Sequence, residues 1–232
     1  MGEVPAHIVD GTQEALMASV TSVNIACGGH AGDAASMETT IRQALRHGVA
    51  VGAHPGYPDR ENFGRFELDM PPQAIADSVY TQVALFGHIA ERCGAKVVHV
   101  KAHGALYNQA VKNAVLCRAI ADGVRRWRRD VVLVGLAGSA MLDYFREAGF
   151  AVAAEAFADR AYEADGTLRS RKLAGALIED PEMAAEQAVR IVEEGKAQTI
   201  CVHGDTPGAV RIAGRVAGKL RESGVELGAV TS

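Results

Sequence analysis

Apolar positions in this chain gather into short unbroken runs, each followed by a polar cluster and then by a stretch of helical period. The runs are Val23–Ala26, Val49–Ala53, Lys96–Val100, Val131–Gly135, Ala151–Ala154 and Thr199–His203. Unbroken runs, as opposed to apolar–polar alternation, predict strands buried on both faces. Helices are predicted over Asp33–Arg46, from Pro71-Pro72 through Cys93, and over Asn108–Trp127, Ser139–Glu147, Pro181–Glu194 and Pro207–Ser223. Asp33 reads as an N-cap, proline opens several of these helices, and Gly48, Gly94, Gly149, Gly195 and Gly224 follow helix ends. This alternation predicts an α/β fold with a parallel sheet and right-handed crossovers, in one domain over residues 1–232.

Parallel α/β folds place their chemistry at the C-terminal ends of strands. Five of the runs break off there into His, Asp, Lys or Arg, which predicts one polar site assembled from several strands. The first run carries Asn24 and leads through Gly28-Gly29 to His30 and Asp33; Asp33 serves equally well as a helix N-cap. The second ends at His54, held on a stiff turn by Pro55, and leads to Asp59 and Arg60. His30 and His54, with an Asp nearby, are the raw material of a divalent metal site, although their spacing is no zinc signature. In the third, His99, Lys101 and His103 share a period of two, so they can point to one side. Lys101 can hold a phosphate or polarise a carbonyl. Asn108, just beyond, suits an N-cap or the site. The fourth brings Glu155, Asp159 and Arg160, with Arg171 further along the same loop, and an arginine here can clamp a carboxylate or phosphate at two points. The last ends at His203 and Asp205. The loops Pro55–Met70 and Glu155–Glu179 exceed what connection requires, as functional loops do.

Charged residues make up 22% of the chain and the net charge is −4, which gives no electrostatic footprint for nucleic acid or a membrane surface. The one basic knot, Arg125–Arg129, sits at a predicted helix end, where cations complement the dipole. The four cysteines form no CxxC pair and no secretion signal opens the chain, so reduced thiols in the cytoplasm are expected. No P-loop, GxGxxG or GxSxG motif is present.

Five segments together, NIACGGHAGD, GAHPGYPDRENFGR, HVKAHGALYN, FADRAYEADGTL and VHGD, occur in the order found in the LamB/YcsF family, and the chain resembles that family from about residue 1 to the last strand. The resemblance implies an irregular seven-stranded parallel β/α barrel related to sugar deacetylases. It implies ATP-driven opening of the lactam of 5-oxoproline to L-glutamate, by a subunit that works with two others, of B and C type. His30, Asp33, His54, Asp59, Lys101 and His103 are then the candidate catalytic groups. Asn24, Arg60, Asn108, Glu155, Asp159, Arg160, Arg171, His203 and Asp205 are candidates for binding substrate or phosphate. Family members open with a strand of the type Asp-Leu-Asn-x-Asp running into Met/Leu-Gly-Glu, whereas this chain starts at Met1-Gly2-Glu3, so the first of the seven strands and its acidic residues are expected to be missing. Ala102 stands where the family usually has Pro. Two other readings of the same residues are a stand-alone metal-dependent deacetylase or amidohydrolase, and a non-catalytic subunit that binds a small ligand.

Overall fold

The computed structural model describes residues 1–230. Two short helices, α1 (Pro5–Val9) and α2 (Thr12–Met17), precede β1 (Ser22–Ala26), α3 (Ala34–Arg46), β2 (Ala50–His54) and α4 (Pro72–Arg92). Then follow β3 (Val97–Val100), α5 (Gly104–Ala110), α6 (Ala114–Trp127), β4 (Val132–Leu136) and α7 (Met141–Glu147). The last elements are β5 (Ala151–Phe157), α8 (Pro181–Glu193), β6 (Thr199–Cys201) and α9 (Ala209–Glu222). No helix among the described residues is long and apolar enough to cross a membrane.

All six predicted strands form, all pairings are parallel, and their order in the sheet is their order in the chain. Sequential parallel strands with helical crossovers curl as a barrel does. No ladder joins β1 to β6, so the expected barrel is an open, six-stranded half-barrel among the described residues. The outer edge of β1 is not bare. Met1 donates its amine to the Asn24 carbonyl (2.8 Å) and accepts from the Ala26 N–H (3.0 Å), the pattern of a parallel ladder. This brings Glu3 to the C-terminal end of β1.

The helices close over the outer face of the sheet. Met37 and Ile41 of α3, Val83 and Phe86 of α4, Ile120 of α6 and Phe145 of α7 are at most 1% exposed. Helix α4 also holds the loop after β2: the Gln82 amide accepts from the Gly56 N–H (3.0 Å) and donates to the Gly56 carbonyl (2.8 Å).

Several local expectations are corrected. The helix predicted over Asn108–Trp127 is two helices, because Asn113 accepts from the backbone of Val115 and Leu116 and caps α6. Asn108 therefore lies inside α5 and caps nothing. Helix α7 begins at Met141, and the Ser139 hydroxyl donates to the Leu136 carbonyl (2.7 Å) without capping it. Helix α9 begins after Gly208, which takes a left-handed conformation, and not at Pro207.

Candidate functional site

Three imidazoles and one carboxylate meet at the C-terminal ends of β1, β2 and β3. The His30 and His103 rings stack with centroids 3.6 Å apart, and His54 stands edge-on to both. His30 Nε2 donates to Glu3 Oε1 at 2.9 Å. His54 Nδ1 donates to the Lys101 carbonyl (2.7 Å) and His103 Nε2 to the Phe63 carbonyl (2.9 Å). Phe63 takes φ 57°, uncommon for a residue with a side chain, and that conformation sits beside the turn that aims its carbonyl at His103. Burial, reinforced by the other imidazoles, holds His54 well below the ordinary histidine value and His103 at about 3. Burial opposes the charge on Glu3, but the chain's amino terminus and the His30 hydrogen bond outweigh it and keep its pKa low. Among the described residues, Glu3, His54 and His103 each offer a donor atom, all within 4.8 Å of one another, and form the group that could hold a metal ion.

Deeper in the half-barrel, Lys101 Nζ donates to Glu155 Oε1 at 2.5 Å and lies 3.3 Å from the Cys201 sulfur. The ammonium also sits over the Phe157 ring (4.8 Å) and near the Tyr107 ring (5.7 Å). Burial opposes its charge, yet Cys201 and Glu155 raise its pKa above the ordinary value. Burial pushes the Cys201 thiol up to about 12. Glu155 Oε2 and the Tyr107 hydroxyl are buried without a hydrogen-bond partner among the described residues. Polar atoms left so are places where water or a ligand group belongs.

The ends of β5 and β6 supply a third group. Asp159, fully buried, accepts from the His203 backbone N–H (2.9 Å), from His203 Nδ1 (2.9 Å) and from the Thr206 hydroxyl (2.8 Å). Burial works against its ionisation, but these bonds lower its pKa. With Nδ1 held by Asp159, His203 has Nε2 without a hydrogen-bond partner among the described residues, the arrangement of a carboxylate-oriented general base. Nearby, Asp205 accepts from Arg65 and from Arg171 (3.4 Å). Arg160 is 4% exposed and, among the described residues, donates only to the carbonyls of Ala176 (3.3 Å) and Arg169 (2.7 Å). With no carboxylate on it, its pKa falls to about 10, through burial and then the neighbouring Arg171.

The structure thus gathers His30, His54, Lys101, His103, Glu155, Asp159, Arg160, Arg171, His203 and Asp205 at the strand ends. Asn24 lies within the half-barrel and accepts from His99 Nε2 (2.9 Å). Other predicted members stand apart. Asp33 is exposed and forms a capping box with Ser36, so its place is the N-terminus of α3 and not the cluster. Arg60 is exposed and ties its loop to the carbonyls of Gly28 (3.0 Å) and Gly32 (2.8 Å). Asp59 closes the same loop through Asn62 (2.9 Å), and Asn108 is exposed on α5. Glu3, Phe63, Arg65 and Cys201 also border the site, and sequence reasoning did not place them there. Arg65 carried a signal, as a cation in a loop already marked as long. Glu3 belongs to no strand run, and its signal lay only in the Met1-Gly2-Glu3 that matches the family's opening segment.

Six parallel strands curled round such a polar cup define a β/α half-barrel protein. A family 4 carbohydrate esterase from Streptomyces lividans shares the fold, with a TM-score of 0.51 over 99% of this chain and 89% of that one, at 13% identity. The chain belongs to the LamB/YcsF family, whose sequence profile matches residues 1–232. It is 47% identical to the 5-oxoprolinase A subunit of Chloroflexus aggregans, over 93% of this chain and 90% of that one. It is 43% identical to the corresponding protein of Shouchella clausii, over 97% and 94%. The lactam utilization protein from Thermus thermophilus superposes with a TM-score of 0.88 at 37% identity, covering 94% of this chain and 92% of that one.

Proposed function

We propose that this chain is the A-type component of an ATP-dependent 5-oxoprolinase, which opens the lactam of 5-oxoproline to L-glutamate together with B- and C-type subunits. The observation that carries this reading is kinship over nearly the whole chain with proteins named as the A subunit of 5-oxoprolinase. The polar cup supports it, because lactam opening needs groups for anionic charge and for proton transfer in one place.

The five-membered lactam is an amide, and its resonance resists attack by water. Transfer of the ATP γ-phosphoryl group to the lactam oxygen removes that resonance and makes the ring carbon electrophilic. Water then adds to that carbon, its proton goes to a base, and the C–N bond breaks as the nitrogen gains a proton. A second water releases phosphate from the resulting acyl phosphate and leaves glutamate. In this reading Lys101 and Arg160 stabilise negative charge on the lactam and phosphoryl oxygens. Arg171, with Arg65 beside it, receives the substrate carboxylate. His203, oriented by Asp159, takes the proton from the attacking water. His30, His54 and His103 complete the cup, where a divalent metal is the second expected group. The cytoplasm is the proposed compartment, supported by four unpaired thiols.

The test is glutamate release from 5-oxoproline by this chain mixed with its two partner subunits, with and without ATP. Release that needs ATP and all three chains is the expected result. No release from any mixture overturns the reading. Replacing His54 by Ala is expected to abolish release in the assembled complex, and unchanged turnover would remove His54 from the machinery.

A further inference from the structure

His54 and His103 each spend their one N–H on a backbone carbonyl, of Lys101 and Phe63 respectively. A carbonyl oxygen only accepts, so those two protons are fixed on His54 Nδ1 and His103 Nε2. The nitrogens that remain, His54 Nε2 and His103 Nδ1, are both bare, and they face each other at 3.0 Å. Glu3 Oε1 stands 3.5 Å from His103 Nδ1 and turns a negative charge on the same point. Two lone pairs and a carboxylate oxygen repel one another at such distances unless something positive lies between them. Donors held at about 2.0–2.2 Å from one tetrahedral ion stand roughly 3.3–3.6 Å apart, so only small shifts separate this cluster from a coordinating one.

We propose that Glu3, His54 and His103 are the three protein ligands of a divalent transition-metal site of the zinc class, with the fourth position left to water or substrate. Two imidazoles and a carboxylate suit zinc, iron or cobalt better than the harder magnesium or calcium. The groups around the ligands fit the same reading. A metal-bound histidine almost always donates its other N–H to a carbonyl or carboxylate, and both of these do. His30 donates Nε2–H to Glu3 Oε1 and stacks on His103, which places it behind the carboxylate as its orienting partner. The sequence had offered His30 as a ligand beside His54; the geometry gives that position to His103 and Glu3. This inference deepens the reading of the chain as part of a hydrolase, but it stands on side-chain geometry and is tested without turnover.

The experiment uses the purified chain alone, stripped with a chelator. Zinc is titrated by calorimetry and cobalt by its visible ligand-field bands. One ion per chain is expected, with cobalt bands of a four- or five-coordinate nitrogen–oxygen site. His54→Ala and His103→Ala are expected to weaken binding by about 100-fold or more, and His30→Ala by about 10–100-fold, as for loss of an orienting partner. His88→Ala, on the exposed face of α4, is expected to leave affinity unchanged. Circular dichroism checks each variant, and the near-isosteric Glu3→Gln, expected to weaken binding at least ten-fold, substitutes for any that fails to fold. No uptake by the stripped wild-type chain, or uptake that His103→Ala leaves intact, overturns the site. Metal uptake without glutamate release from the assembled complex would instead overturn the proposed activity and leave the site standing.

Discussion

Asn24 on β1 and His99 on β3 hydrogen-bond to each other across β2, at 2.9 Å. The strand between them has Gly52 in register with both. A Cβ at Gly52 would stand 2.0 Å from His99 Nε2, so the imidazole passes over β2 only because that position has no side chain. The interior of the half-barrel is thereby braced from its first strand to its third.

Gly52→Ala is accordingly expected to push His99 out, break its bond to Asn24 and cost about 1–3 kcal/mol, the usual range for overpacking a tight interior. Urea unfolding of the variant checks this. A midpoint equal to the wild type would mean that His99 has another place to go.

The pair Lys101–Glu155 makes a second prediction. Both side chains are at most 6% exposed, so removing one charge strands the other away from water. Glu155→Gln is expected to destabilise the fold by about 3–5 kcal/mol, whereas Lys101→Met combined with Glu155→Leu recovers much of that loss. Equal stabilities of the single and double variants would show that the ammonium finds another partner, and the Cys201 sulfur alone would then be enough.

Acid is expected to weaken the fold well above the usual carboxylate range. Burial holds His99 at about 4 and His103 at about 3, against an ordinary value of 6.5. As pH falls below 6.5 the unfolded chain takes up these protons and the folded chain does not, so the unfolded state gains stability. Each histidine then costs up to about 1.4 kcal/mol per pH unit until the pH reaches its folded value. Above about pH 7 both forms are neutral and this contribution is complete. Urea midpoints at pH 7 and pH 5, taken with a chelator present, read the effect, and an unchanged midpoint contradicts it.

Asp159→Asn tests the proton-transfer role. The amide can still accept from the Thr206 hydroxyl and the His203 backbone, so the loop should hold. What it loses is the charge that fixes the proton on His203 Nδ1 and supports an imidazolium. Turnover of the assembled complex is expected to fall by about 100-fold or more, consistent with the usual size of general-base catalysis, with little change in KM. A rise in KM at constant kcat would make Asp159 and His203 binding residues only.

Much of the candidate site could be read along the chain because strand ends mark it. His54, Lys101, Glu155 and His203 each close or follow an apolar run, and a parallel sheet must bring such ends together. The residues that fell outside, Asp33, Asp59, Arg60 and Asn108, look the same in sequence but stand elsewhere: Asp33 caps α3, Asp59 closes its own loop through Asn62, Arg60 ties that loop to the one after β1, and Asn108 is exposed on α5. A polar side chain near a strand end has two uses, and the choice depends on which backbone groups lie unpaired beside it.

The sequence by itself determined the six strands, most of the helices, the parallel order and the end of the sheet where the chemistry collects, because burial and helical period are local patterns. Only the tertiary structure decided that the sheet stays open between β1 and β6 among the described residues. It also decided that Glu3 joins His54 and His103, that His30 stands behind the carboxylate, and that Arg65 shares Asp205 with Arg171. Those relationships link residues far apart in the chain through distances of a few ångströms and through the direction of single protons, which no periodicity in a sequence encodes.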